Sequence, residues 1–166
     1  MTLWVIRGGQ SGEWEDIALE QGIIVIYSKA HGLTEAVDAD ELRERIREAY
    51  PEKREQTIGL WTRWASHFFH EMREGDLVLL PFKRYRGFVA VGEVRGPAEE
   101  WPDLRGYQPG YFIYSRPVRW LHGRFPRDRL GNWTNRPHTT IYPVEERDAE
   151  KRVREWIASG PHGEPA

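Results

Sequence analysis

Residues 57–81, TIGLWTRWASHFFHEMREGDLVLLP, read as an aromatic-rich helix, a glycine turn and a wholly apolar strand. Trp61 and Trp64 are three apart and share one helix face. Phe68 continues that stripe, with Leu60 alongside. Glu74-Gly75-Asp76 predicts the helix end, because glycine just past a C-terminus takes the left-handed conformation at little cost. Leu77 to Leu80, closed by Pro81, suits a strand buried on both faces.

Outward from this block the apolar runs continue. Leu3–Ile6 and Ile23–Tyr27 predict buried strands, with the glycine-rich loop RGGQSGEWED and a short turn or helix at Trp14–Leu19 between them. Asp38–Tyr50 predicts a helix capped by Asp38 or Asp40, with Leu42, Ile46 and Ala49 on one face and Pro51 ending it. Its charges, ELRERIRE, read as a solvated face. Phe88–Val94 predicts a strand whose Gly92 implies a bulge or a close approach. Residues 95–110 read as a proline- and glycine-rich loop, Tyr111–Trp120 as a strand, and 122–137 as an irregular arginine-rich segment. Thr139–Tyr142 and Asp148–Ile157 predict a last short strand and a terminal helix. Closely spaced strands with a few inserted helices imply an α+β class: a small curved sheet or barrel with helices packed at its openings. Strands after residue 77 follow one another too closely for a parallel βαβ sheet.

Composition bounds the function. The chain has 166 residues, read as one domain over 1–158 with a frayed tail at 159–166. Eight tryptophans stand out, and such rings fill cores or build flat-walled pockets for planar ligands. With 24 Lys+Arg against 26 Asp+Glu, no bulk field announces a nucleic acid, which leaves room only for a local basic face. The absence of cysteine removes disulfides, thiolate metal sites and cysteine nucleophiles. No apolar run approaches the ~18 residues of a membrane span and no signal sequence is visible, so a cytoplasmic protein without membrane partners is expected.

Individual residues keep two readings. Trp61 and Trp64 are core packing or, for one of them, a pocket wall. Phe82 closes a core or lines a pocket at the strand exit. Arg7-Gly8-Gly9 is an ordinary flexible loop or a backbone that approaches a ligand and offers N–H donors. Ser28 starts a turn or hydrogen-bonds a ligand edge. Lys83, Arg84 and Arg86, with Arg116, Arg119, Arg124, Arg127, Arg129 and Arg136, form solvated loops or a phosphate-binding rim; between 115 and 140 only Asp128 is acidic. His67 and His70 share a helix face, but no third ligand is suggested and the spacing is not His-Glu-x-x-His, so they read as surface histidines. His122, Asn132 and His138 do not form a ββα-metal pattern, and Glu13, Asp16 and Asp76 offer no carboxylate pair; Asp76 belongs to the turn. No catalytic residue, metal or cofactor is expected.

The ordered blocks LWVIRGGQSGE, GIIVIYS, ELRERIREAYPEK, FFHEMREGDLVLLP, VAVGEV, YSRPVRWL and FPRDRL resemble the PUA-like, EVE-like domain that precedes Mrr-type catalytic domains in modification-dependent restriction systems. The likeness spans roughly residues 3–145. It implies a PUA-like barrel related to EVE and YTH domains, which hold one nucleobase in an aromatic pocket. In the restriction relatives that base is modified, as in methylated cytosine or adenine. The resemblance places Tyr27 near the family's pocket tryptophan, where members usually carry Gly-Trp and this chain has Tyr27-Ser28. The 95–110 loop is longer than the family's, and the catalytic domain would lie elsewhere in a longer chain or in a partner. The expectation is a non-enzymatic DNA-binding module with a base pocket of Tyr27, Ser28, Trp61, Trp64, Phe82, Arg7 and Gly8. An RNA-binding module reading an unpaired base is the alternative.

Overall fold

A computed structural model describes residues 1–101 and 109–159. The fold is α+β, with a strongly curled half-barrel sheet. The elements are β1 (Leu3–Ile6), α1 (Glu15–Gln21), β2 (Ile23–Ser28), α2 (Ala39–Ala49), α3 (Glu55–Ser66), β3 (Leu77–Pro81), β4 (Phe88–Val94), β5 (Glu99–Glu100), β6 (Phe112–Pro126), β7 (Ile141–Pro143) and α4 (Ala149–Ala158). The strands run in the order β2-β6-β4-β3-β1-β7, and β5 pairs with β6 off this path. Only β1 and β3 pair in parallel among the described strands; the other pairs are antiparallel.

β6 organises the sheet. Its first part, Phe112–Pro117, pairs with β2, and Val118–Pro126 pairs with β4. β5 sits opposite β2 at Tyr114 and Ser115, and Arg95 N–H donates to Pro117 O, so the chain leaving β4 continues along the same edge of β6. The register shifts between Val89 and Gly92, and a Cβ built on Gly92 would lie 2.8 Å from the Trp120 ring. Gly92 thus marks both a bulge and a close approach, which bends the strand.

Both sheet faces are covered. Trp4, Ile6, Val78, Tyr114 and Val118 face a core completed by Leu42, Ile46, Ile58 and Phe68 from the α2–α3 layer. Leu3, Val5, Leu77, Leu79 and Phe125 face a second core closed by Val153 of α4. Two-sided burial explains why β1 and β3 are continuous apolar runs without alternation. Asp38 caps α2, accepting the Glu41 N–H at 2.9 Å, as its position before the apolar stripe predicts.

Several boundaries differ from the sequence reading. α3 stops at Ser66 and a π-helical turn, His67–Glu71, follows before Gly75, which lies at φ +95°. β6 extends to Pro126, well into the segment read as irregular, and pairing with β4 supplies the reason. The 95–110 loop contains β5; residues 102–108 of that loop, and 160–166 of the tail, lie outside the described residues. Among the described residues no helix is long and apolar enough to cross a membrane.

Candidate functional site

Four strand ends meet at one end of the sheet. Because β1 and β3 are parallel, Arg7 and Phe82 emerge side by side. Because β4 is antiparallel to both β3 and β6, the β3–β4 turn and the exit of β6 share that end. A cleft of about 440 Å³ opens there, lined by Arg7, Phe82, Lys83, Arg86 and Arg127. The Arg127 N–H donates to Gly87 O at 2.8 Å and fastens the turn to the β6 exit.

Three of the four cations of this cleft, Arg7, Lys83 and Arg127, are held by neutral oxygens. Arg7 donates through Nε to Thr139 O (3.0 Å) and through Nη2 to Arg136 O (2.9 Å). Arg127 donates to Thr134 Oγ1 (2.7 Å), Thr134 O (3.1 Å) and Asn135 Oδ1 (3.0 Å). Lys83 Nζ donates to Gln10 O. Arg86 is exposed and has no hydrogen-bond or ion-pair partner among the described residues. Carbonyl and hydroxyl partners orient a guanidinium without cancelling its charge, so the cleft is a local positive field on a chain of net charge −2. Arg136, whose carbonyl accepts from Arg7, lies 4.4 Å from the Tyr142 ring centre. Burial pushes the Tyr142 phenol up, while Arg7, Arg136 and Arg127 pull it down.

Glu15 builds the cleft from below. It is buried, and its carboxylate accepts the N–H groups of Lys83 (2.8 Å) and Arg84 (3.4 Å). Burial raises its pKa, and these two hydrogen bonds oppose the shift. A Cβ on Gly8 would lie 2.8 Å from Glu15 Cγ, and one on Gly12 would lie 2.5 Å from its carboxylate. Gly8 and Gly12 therefore seat Glu15. Gly8, read as a backbone that approaches a ligand, is buried against this side chain.

The remaining expected site residues are dispersed. Tyr27 is half-buried with Trp14, Ile23, Val25 and Ile113; its ring meets Tyr111 edge-on at 5.4 Å and tilts on Trp14 at 6.2 Å. Ser28 Oγ accepts the Ala30 N–H, a turn role. Trp61 packs edge-on against Tyr50 at 4.6 Å, and both Trp61 and Trp64 lean on the large core. Tyr27, Trp61 and Trp64 do not line the cleft; Phe82, although 3% exposed, does. The half-buried Tyr111, which sequence reasoning missed, follows Pro109-Gly110 and carries no signal beyond being aromatic.

Arg116 corrects the expected phosphate-binding set. It is 5% exposed and donates to Gly96 O (3.1 Å), Phe68 O (2.8 Å) and Met72 O (2.8 Å). Parity explains it: Tyr114 and Val118, two residues to either side, face the helix layer, and Arg116 points the same way to cap the π-helical turn. Arg84 pairs with Asp16 at 2.7 Å, and Arg119 lies 3.8 Å from Glu93. Arg124 is exposed. Asp76 does more than make a turn: it accepts N–H bonds from Thr2, Trp4 Nε1 and Arg73. His67 is half-buried rather than a surface group, packed on Trp4 (5.1 Å) and 3.2 Å from Glu71, and His70 contacts Ala36 O. A second cleft, beside Thr2, Trp4, Glu71, Arg73 and Asp76, has mixed charge and an Asp76 already saturated with donors.

No curated protein matches the chain. A solved structure titled "Structure of Hypothetical protein from Leishmania major" is similar over 96% of each chain, with 10% identity and a TM-score of 0.48. A family model described as "Domain of unknown function (DUF8426)" matches residues 4–145, most of the sheet and the three helices before it closes, and the chain belongs to that family.

Proposed function

We propose that this chain is a nucleic-acid-binding module that takes a modified base of DNA, and that the cleft at Arg7, Lys83, Arg86 and Arg127 grips the flanking phosphates. The observation that carries the reading is the convergence of four cations, none paired with a carboxylate among the described residues, on an otherwise balanced chain. Phosphates are recognised by such groups, and guanidinium forks match their geometry. The loop from Arg7 to Trp14 links this cleft to the ring group of Trp14, Tyr27 and Tyr111, which supports a stacking role next to the phosphate grip. A base stacked on such a ring gains ~1–3 kcal/mol, enough to offset much of the cost of extruding it. The resemblance to EVE-like domains supports a methylated cytosine or adenine as the modified base. It also supports a sensor role in a modification-dependent restriction system, with cleavage supplied by a separate nuclease domain or subunit.

Fluorescence titration with methylated and unmethylated oligonucleotides of one sequence tests this. Tighter binding of the methylated strand is expected, with log affinity falling linearly in log salt. Arg86→Ala removes a phosphate contact and lowers that slope by about 0.7–0.9. Equal affinity for both strands overturns modification reading, and preference for a matched RNA strand transfers the cleft to RNA.

A further inference from the structure

Two of the large apolar side chains that the fold leaves exposed sit three residues apart where the β3–β4 turn runs into β4. Tyr85, 48% exposed, lies on the turn between β3 and β4, and Phe88, 39% exposed, is the first residue of β4. Most exposed hydrophobic residues are scattered singly and need no explanation, but two exposed rings on a segment that also carries Lys83 and Arg86 do. Lys83 and Arg86 of this same turn line the basic cleft. The turn is not a loose loop. Glu15 accepts its Lys83 and Arg84 N–H groups, Phe82 N–H donates to Phe88 O at 3.2 Å, and Arg127 N–H donates to Gly87 O. Tyr85 meets the buried Phe82 ring edge-to-face at 5.8 Å, which fixes the ring while leaving nearly half of it in solvent. Folding thus holds the Tyr85 ring and leaves Phe88 exposed on the segment that supplies Lys83 and Arg86 to the positive cleft.

We propose that Tyr85 and Phe88 form a stacking platform for an unpaired nucleobase next to the phosphates held by the cleft. This rests on the nucleic-acid reading above. The partner's chemistry follows from charge and shape together: an anionic backbone for Lys83 and Arg86, and a flat apolar face one residue away for the rings. Ordering of the turn backbone by Glu15 and Arg127 means little backbone entropy is lost on binding. Stacking of this kind is tolerant of base identity, because every base offers a π face. The platform therefore contributes affinity for single-stranded or opened DNA, and selection among bases falls to other groups.

The test compares two DNA strands of equal length, one ordinary and one abasic, titrated against wild type, Tyr85→Ala, Phe88→Ala, Tyr85→Phe and Arg86→Ala. Tyr85→Ala and Phe88→Ala should each weaken binding of the ordinary strand roughly tenfold and leave the abasic strand unaffected in a chain that still folds. Tyr85→Phe should keep the affinity, since the ring and not the hydroxyl acts. Arg86→Ala should weaken both strands alike. Equal loss on both strands for the ring variants, or no loss on either, overturns the platform while the phosphate cleft stands. Wild type that binds neither strand overturns the nucleic-acid reading and the platform with it.

Discussion

Arg116→Met removes a buried guanidinium while keeping most of the side-chain stem, and its cost can be worked from three contacts. The guanidinium donates to the carbonyls of Gly96, Phe68 and Met72, all within 3.1 Å. Two of these carbonyls belong to the end of the π-helical turn, where no further turn of helix supplies a donor. Each buried carbonyl left unpaired costs ~1–3 kcal/mol, so the three together cost ~3–9 kcal/mol. Against this, methionine spares the dehydration of a cation, worth several kcal/mol. The side chain stays charged in the fold: burial lowers its pKa and nearby Asp76 opposes the shift. The net expectation is a loss of ~4 kcal/mol, in the range for breaking one side of a buried charged contact. For a chain of this size that lowers the melting temperature by about 8–16 °C. Thermal unfolding at pH 7, followed by circular dichroism, reads it directly. A shift below about 3 °C would refute the capping role. So would a folded Arg116→Lys chain whose salt slope for oligonucleotides drops by about one, because that would place the residue on a phosphate.

Two further outcomes follow from titrating groups. The Tyr114 hydroxyl is buried, donates to Ala30 O at 2.6 Å, and has its pKa pushed up to about 12 by burial. Its contribution is whole below pH ~10 and is lost as pH rises toward the folded value, up to about 3 kcal/mol in all. Tyr114→Phe should be less stable at neutral pH and should lack that alkaline loss; an unchanged loss between pH 10 and 12 in urea unfolding assigns it to another group. Glu15, whose pKa burial raises above 4.5, keeps its proton longer in the fold than in the unfolded chain. Stability from this group is therefore full below that pH and falls as pH rises through the folded value. Glu15→Gln should flatten the fall, and denaturation midpoints between pH 4 and 7 that keep the wild-type slope refute the assignment.

The legible parts of the fold were those whose signal is local. β1, β2 and β3 are unbroken apolar runs, and α2 carries its cap at Asp38 and its stop at Pro51. The π-helical turn was not legible, because one extra residue per turn over His67–Glu71 leaves the apolar spacing almost unchanged. Nor was the far half of β6, where His122, Gly123 and Arg124 have no strand character until β4 pairs with them. In the candidate site, Arg7, Phe82, Lys83, Arg86 and Arg127 had been singled out by residue type, but their meeting at one cleft depends on the parallel β1–β3 pair, which no local pattern encodes. Arg116 was legible by parity with Tyr114 and Val118, a signal that its arginine chemistry hid. For Gly8 and Gly9 a loop and a ligand-approaching backbone read alike in sequence; in the fold their neighbours are Glu15 and Glu13.

The shared strand β6 also dictates when the molecule can close during synthesis. β2 and β4 both lie with an open edge until residues 112–126 leave the ribosome, so well over half the chain must wait in a partly assembled state. Apolar strands with bare edges are templates for pairing with other chains. A nascent chain stalled ahead of Phe112 would accordingly be the form most in need of chaperones, and shortening the protein from its C-terminal side past Phe112 would dismantle both sheet seams.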